Sequence, residues 1–188
     1  AANVFRLDWT SDASEKILGF PNPWAVATKI DPVGDVAAKL LRERGVNATN
    51  LTLIGESFGV YVNHRIAVKF GKVAAILGCN PASEAGGYQP PDLRAHGCRT
   101  CVITTVSEFD TLRNIAASDY LLTTPAGMNP FEQHTYGINW LCKQIATGDI
   151  SWIELSQTAS PATQESLSGT IMLDGSVSMQ PAARTDQL

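Results

Sequence analysis

Charge, and basic charge above all, is scarce in this sequence. Charged residues make up 17% of 188 positions, and 14 Lys plus Arg stand against 18 Asp plus Glu for a net charge of −4. No basic run interrupts the chain, so neither a nucleic acid nor another polyanion is the expected partner. Long apolar runs are missing too, which excludes a membrane-spanning helix. Ala1–Leu7 lacks the basic, apolar and cleavage regions of a signal peptide, and the chain reads as soluble as given or as already processed. There is no internal repeat. The G-x-x-x-x-G-K-[ST] loop is absent as well, which argues against a nucleotide enzyme. Cysteine is sparse: Cys79, Cys98, Cys101 and Cys142 are even in number but too few to build a disulfide scaffold. Cys98-Arg99-Thr100-Cys101 is a lone CxxC whose only nearby complements are Cys79 and His96, so no metal site and no cofactor are expected, and disulfide pairing stays open. Asn47-Ala48-Thr49 and Asn50-Leu51-Thr52 are glycosylation sequons, which have meaning only in a secreted setting.

What is present is ordinary globular composition, 44% apolar with 15 Gly and 10 Pro, in a length that suits one core. Val4–Leu7 reads as a buried strand feeding a long connection. Asp31-Pro32 supplies a cap and a first-turn proline for an amphipathic helix through Val33, Val36, Ala37, Leu40 and Leu41, ending at Gly45. Apolar runs at Leu51–Ile54, Val73–Leu77 and Cys101–Val106 lack polar alternation, as strands covered on both faces do, and Tyr120–Leu122 is a shorter fifth strand. Helical spacing returns in Val60–Phe70 and Tyr136–Ile145. Strands alternating with helices predict the α/β class, a mostly parallel sheet flanked by helices. Residues 1–155 form that domain; 156–188 read as a polar tail, docked or hanging free, with one apolar run at Ile171–Leu173.

Gly55-Glu56-Ser57-Phe58-Gly59 is G-x-S-x-G between a predicted strand and a predicted helix. In that context the serine sits on a sharp, strained turn, and the glycines remove side chains that would collide with the neighbouring strand and helix. The helix behind aims its free N–H groups at the same spot, and the Phe58 N–H is placed to donate to a developing oxyanion.

Arg6-Leu7-Asp8-Trp9, Val33-Gly34-Asp35-Val36-Ala37, Leu53-Ile54-Gly55-Glu56-Ser57-Phe58-Gly59, Ala75-Ile76-Leu77-Gly78-Cys79-Asn80-Pro81-Ala82, Ser118-Asp119-Tyr120-Leu121 and His134-Thr135-Tyr136 follow one order and spacing. In it the chain resembles the pancreatic-lipase-like branch of the α/β-hydrolases over Val4–Ile145. The resemblance implies an α/β-hydrolase-like fold, serine carboxylester hydrolysis of lipids or related esters, and an extracellular home. Ser57 matches the nucleophile. His134, just ahead of a helix, matches the general base, while His64 and His96 read as surface or half-buried polar residues. At the position of the family's acid stands Asn80, which cannot stabilise an imidazolium. Asp110, past the next strand, is the favoured orienting residue, with Glu108 its neighbour; Asp110 also fits as a cap for a helix over Thr111–Ala117. Phe58 is the oxyanion residue, and Glu56, Met128 and Phe131 are candidate substrate-binding residues. Met128 and Phe131 would line an acyl wall or serve as half-buried loop anchors.

Two departures matter. The family's His-Gly oxyanion strand precedes its counterpart of Val4, so the chain is expected to be N-terminally incomplete, its sheet finished by a missing segment or a second chain. Thr123–Gln133 is too short for the long lid of triglyceride lipases, which favours a small or polar ester or a phospholipid. Two functional readings follow: a serine ester hydrolase, or an impaired hydrolase fold serving as a binding or structural module.

Overall fold

The computed structural model describes residues 3–13, 16–17, 20–83, 87–105, 113–148 and 169–173. Its centre is four parallel strands, β4 (Leu51–Glu56), β5 (Ala75–Cys79), β6 (Arg99–Thr105) and β7 (Ser118–Leu122), hydrogen-bonded in that order. On the β4 side the sheet continues through β8 (Gly169–Leu173) to β1 (Asn3–Arg6), both parallel to it. A small antiparallel hairpin pairs β2 (Lys16–Ile17) with β3 (Phe20–Pro21). The helices are α1 (Thr10–Ala13), α2 (Pro23–Glu43), α3 (Gly59–Phe70) and α4 (Pro130–Thr147). The chain therefore has α/β architecture, a parallel sheet flanked by helices.

The uninterrupted apolar runs are explained by two covered faces. Leu53, Ile76 and Val102 point into a core with Ile30, Ala37, Ala38 and Leu41 of α2 and Val60, Tyr61, Ile66 and Ala67 of α3. Their chain neighbours Ile54, Leu77, Cys101 and Ile103 point the other way, against Leu141, Ile138 and Ile145 of α4. Because successive strand residues alternate between faces, both sets must be apolar for helices to pack on both sides.

Several boundaries differ from expectation. The helix expected to begin at Asp31 begins at Pro23, capped by Asn22, and Pro32 lies inside it. Proline in a helix interior costs about 3 kcal/mol. The buried stripe Val26, Ile30, Ala37, Ala38 and Leu41 crosses that position, and burying it offsets the cost. Among the described residues β1 is an edge strand with mostly exposed residues, not a buried one, because Ile171–Leu173 supplies the strand β8 between it and β4. α4 begins at Pro130, six residues before Tyr136, because Asn129 and Glu132 form a reciprocal capping box. Residues 113–117 are not helical, so the described part of the helix expected over Thr111–Ala117 is absent. Among the described residues, no helix is long and apolar enough to cross a membrane.

Candidate active site at the carboxyl edge of the sheet

The five-residue turn lies where β4 passes into α3. Ser57 has φ 52°, in the left-handed region that ordinary residues avoid, and its N–H donates to the Cys79 carbonyl at 2.9 Å. That bond continues the β4–β5 ladder one residue past the strand, so the turn is anchored to the neighbouring strand end. The glycine before it is needed for space. A Cβ on Gly55 would lie 2.6 Å from the Gly59 carbonyl oxygen and 2.6 Å from Asn63 Nδ2. Phe58 is the first flanking residue of α3, and its ring meets Tyr61 edge-on at 6.3 Å. The helix closes directly onto the turn: the Val60 N–H donates to the Ser57 carbonyl at 3.3 Å and the Tyr61 N–H to the Phe58 carbonyl at 3.0 Å.

β5 ends in a second left-handed residue. Asn80 has φ 42°, is fully buried, and donates its N–H to the Ile103 carbonyl at 2.9 Å. Its side-chain Oδ1 accepts the Thr105 N–H at 2.7 Å, and its Nδ2 donates to the main-chain carbonyl of His134. The Thr105 hydroxyl lies 2.7 Å from the Gln133 carbonyl and 3.1 Å from Asn80 Oδ1. With one proton to give, it donates to the nearer carbonyl.

Ser57 and His134 are thus both fastened to the end of β5, one through Cys79 and the other through Asn80. His134 is the fifth residue of α4 rather than a loop residue ahead of it. Burial pushes its pKa below the ordinary histidine value, so the ring is neutral at neutral pH. Asn80, the alternative acid position, spends its amide on main chain: Oδ1 on Thr105 and Nδ2 on the carbonyl, not the ring, of His134. Asp110 and Glu108 lie outside the described residues.

Of the substrate-binding candidates, Glu56 is half-buried at the end of β4, beside Cys79. Met128 is half-buried in the loop before α4, and Phe131, the second residue of α4, is 67% exposed.

The four cysteines are free thiols. Burial, and then the charge of Glu56, pushes the Cys79 thiol well up, so this neighbour of the turn is no nucleophile. Burial likewise raises Cys101 to about 12. Among the described residues no three His, Cys, Asp or Glu side chains cluster as metal ligands do. His64 and His96 pair with each other on α3 and the turn before β6, with Nδ1 and Nε2 2.7 Å apart.

Thr105 and Gly137 escaped the sequence reading. A Cβ on Gly137 would stand 3.4 Å from Asn80 Nδ2 and 3.7 Å from the Thr105 methyl, which is how closely α4 approaches the strand ends. Thr105 was visible as a polar residue closing an apolar strand; nothing local marked Gly137. No family model, curated protein or solved structure matches the chain.

Proposed function

We propose that the chain is a serine carboxylester hydrolase with an α/β-hydrolase-like fold, acting on a lipid or small ester through an acyl-enzyme. The observation that carries this reading is Ser57 at φ 52° on the turn between a parallel strand and the helix packed behind it, with His134 tied to the adjacent strand end. Ligands of open parallel sheets bind outside the carboxyl ends of the strands, where both residues lie. The pancreatic-lipase-like order of motifs supports the same chemistry and an extracellular setting.

Ser57 Oγ attacks the ester carbonyl carbon while His134 takes the hydroxyl proton, and the Phe58 N–H receives the negative oxygen that develops. Collapse breaks the bond to the alcohol, which leaves with the proton from His134. Water then repeats the sequence on the acyl-enzyme and frees the acid. The lowered pKa of His134 keeps the base in the state that accepts a proton. Since the Asn80 amide is taken up by main chain, the orienting carboxylate falls to Asp110 or Glu108 beyond β6.

Fluorophosphonate labelling of the folded chain, with the adduct located by peptide mass spectrometry, tests the reading without knowledge of the substrate. The expected adduct is on Ser57, and Ser57→Ala loses labelling by roughly 10³-fold or more while keeping its fold. A folded wild-type chain that takes no adduct overturns the enzyme reading in favour of a binding module on the same scaffold.

A further inference from the structure

We propose that Asn80 and Thr105 are positioning residues for His134, holding the main chain at the start of α4, and the imidazole with it, against the ends of β5 and β6. The inference rests on the hydrolase reading for its purpose but not for its geometry. The Gln133 and His134 carbonyls lie inside α4, where residues four positions ahead already donate to them. The helix start is closed by its own capping box and its end by Gly148 in the left-handed conformation. The Asn80 and Thr105 donors are therefore surplus to making the helix. What they fix is where α4 sits and how it is rotated about its axis.

Rotation is the quantity that matters for a base. Each helical residue turns the side-chain direction by roughly 100°. A slip of α4 along the sheet therefore swings the His134 ring out of its working direction. Misplacement by about 1 Å costs on the order of 10²-fold in rate. The clamp is buried on both sides: Asn80 is fully covered, Thr105 is 4% exposed, and Gly137 leaves just enough room for α4 to reach them. Neither an amide nor a hydroxyl titrates in the working range, so the hold is the same at every pH at which the base works.

Three histidines in the chain make the test direct. The full chain with isotopically labelled histidine is compared with Thr105→Val, which keeps the branched Cβ and the main-chain N–H to Asn80 but loses the hydroxyl. The expected result is a shift of the His134 imidazole resonances and titration midpoint with those of His64 and His96 unmoved. Fluorophosphonate labelling per folded chain falls about 10- to 10²-fold, and Thr105→Ser restores both. Should Thr105→Val fold poorly, Gly137→Ala presses on Asn80 Nδ2 from the α4 side and is expected to move His134 in the same selective way. Unchanged His134 resonances, or equal movement of all three histidines, overturn the proposal. A wild type that does not label defeats the hydrolase reading alone, because the imidazole spectra still report whether the clamp holds His134.

Discussion

The two ends of β6 each hold a histidine, and they hold it by different means. At the carboxyl end, Thr105 and Asn80 bond the main chain around His134 with a hydroxyl and an amide. Just before the amino end, His96 in the 3₁₀ turn Leu93–His96 meets His64 of α3 ring to ring, with centroids 4.6 Å apart and nitrogens 2.7 Å apart. A nitrogen-to-nitrogen hydrogen bond needs one unprotonated ring to accept it, so the second arrangement is lost once both rings are protonated. The first has no such condition. On the proposed hydrolase reading His134 gains and loses a proton in each turnover, and a group with that task is better held by its backbone, through partners that do not titrate, than through its own ring alone.

The largest effect that sharpens this comparison is expected from Asn80→Asp. Asp is the residue type the resemblance calls for, but here the side chain must donate to the His134 carbonyl, and a carboxylate cannot. Asp tolerates a left-handed backbone nearly as well as Asn, so the change in charge carries the penalty. At pH 8 the variant is expected to lose about 3–5 kcal/mol, the usual cost of a buried charge left uncompensated. Burial raises the folded-state pKa of the new carboxyl above its unfolded value. The deficit is therefore small where both states are protonated and grows as pH rises past the unfolded value near ~3.9. Urea midpoints at pH 4.5 and 8 measure it. Equal stability of variant and wild type at pH 8 would break the distinction between the two ends of β6.

A smaller effect belongs to the ring pair. Burial, and then His96, pushes His64 down to about 4, and burial lowers His96; Asp31 opposes the shift at His64 while Arg65 adds to it. Folded-state values below the unfolded ~6.5 mean that the neutral rings are favoured by folding. Their contribution is complete above ~6.5 and is lost as pH falls from there toward about 4. Because the pair is half-buried, the loss is discounted to roughly 1 kcal/mol, or ~2–4 °C in Tm for a chain of this length. Thermal melts at pH 7 and 5 should show this drop in wild type and less of it in His64→Phe. An identical drop in both would place the acid sensitivity elsewhere.

Structure is legible in the sequence where one segment carries the whole message. The strand, turn and helix around Ser57 are adjacent in sequence, and β4 and α3 lie within two residues of their expected spans. Asp31-Pro32 announces a helix start in the sequence, and only packing along the buried stripe shows that it lies inside a helix begun at Pro23. The apolar spacing places His134 ahead of the helix, whereas the Asn129–Glu132 capping box, several residues before that spacing begins, brings it inside. Thr105 could not be assigned a role at all, since its partners are 25 and 28 residues away and meet it only through the register of β5 with β6 and the docking of α4. The same holds for β1, whose neighbour in the sheet comes from Gly169–Leu173.

The smallest effect separates strain from chemistry at Ser57. At φ 52° a serine stores local strain on the order of 1–2 kcal/mol, while glycine adopts that backbone freely but gives up roughly 0.5–1 kcal/mol of extra entropy on folding. Ser57→Gly is therefore expected to be more stable than wild type by about 0.5–1 kcal/mol, ~1–4 °C in Tm, and unable to take a fluorophosphonate. Ser57→Ala removes the same hydroxyl yet keeps a Cβ at the same φ, so it should lose labelling equally and gain no stability. The difference in melting between these two variants reads the strain alone. If they melt together, the turn at Ser57 holds no strain beyond what any residue pays there, and its left-handed backbone does not by itself set it apart from the clamped main chain around His134.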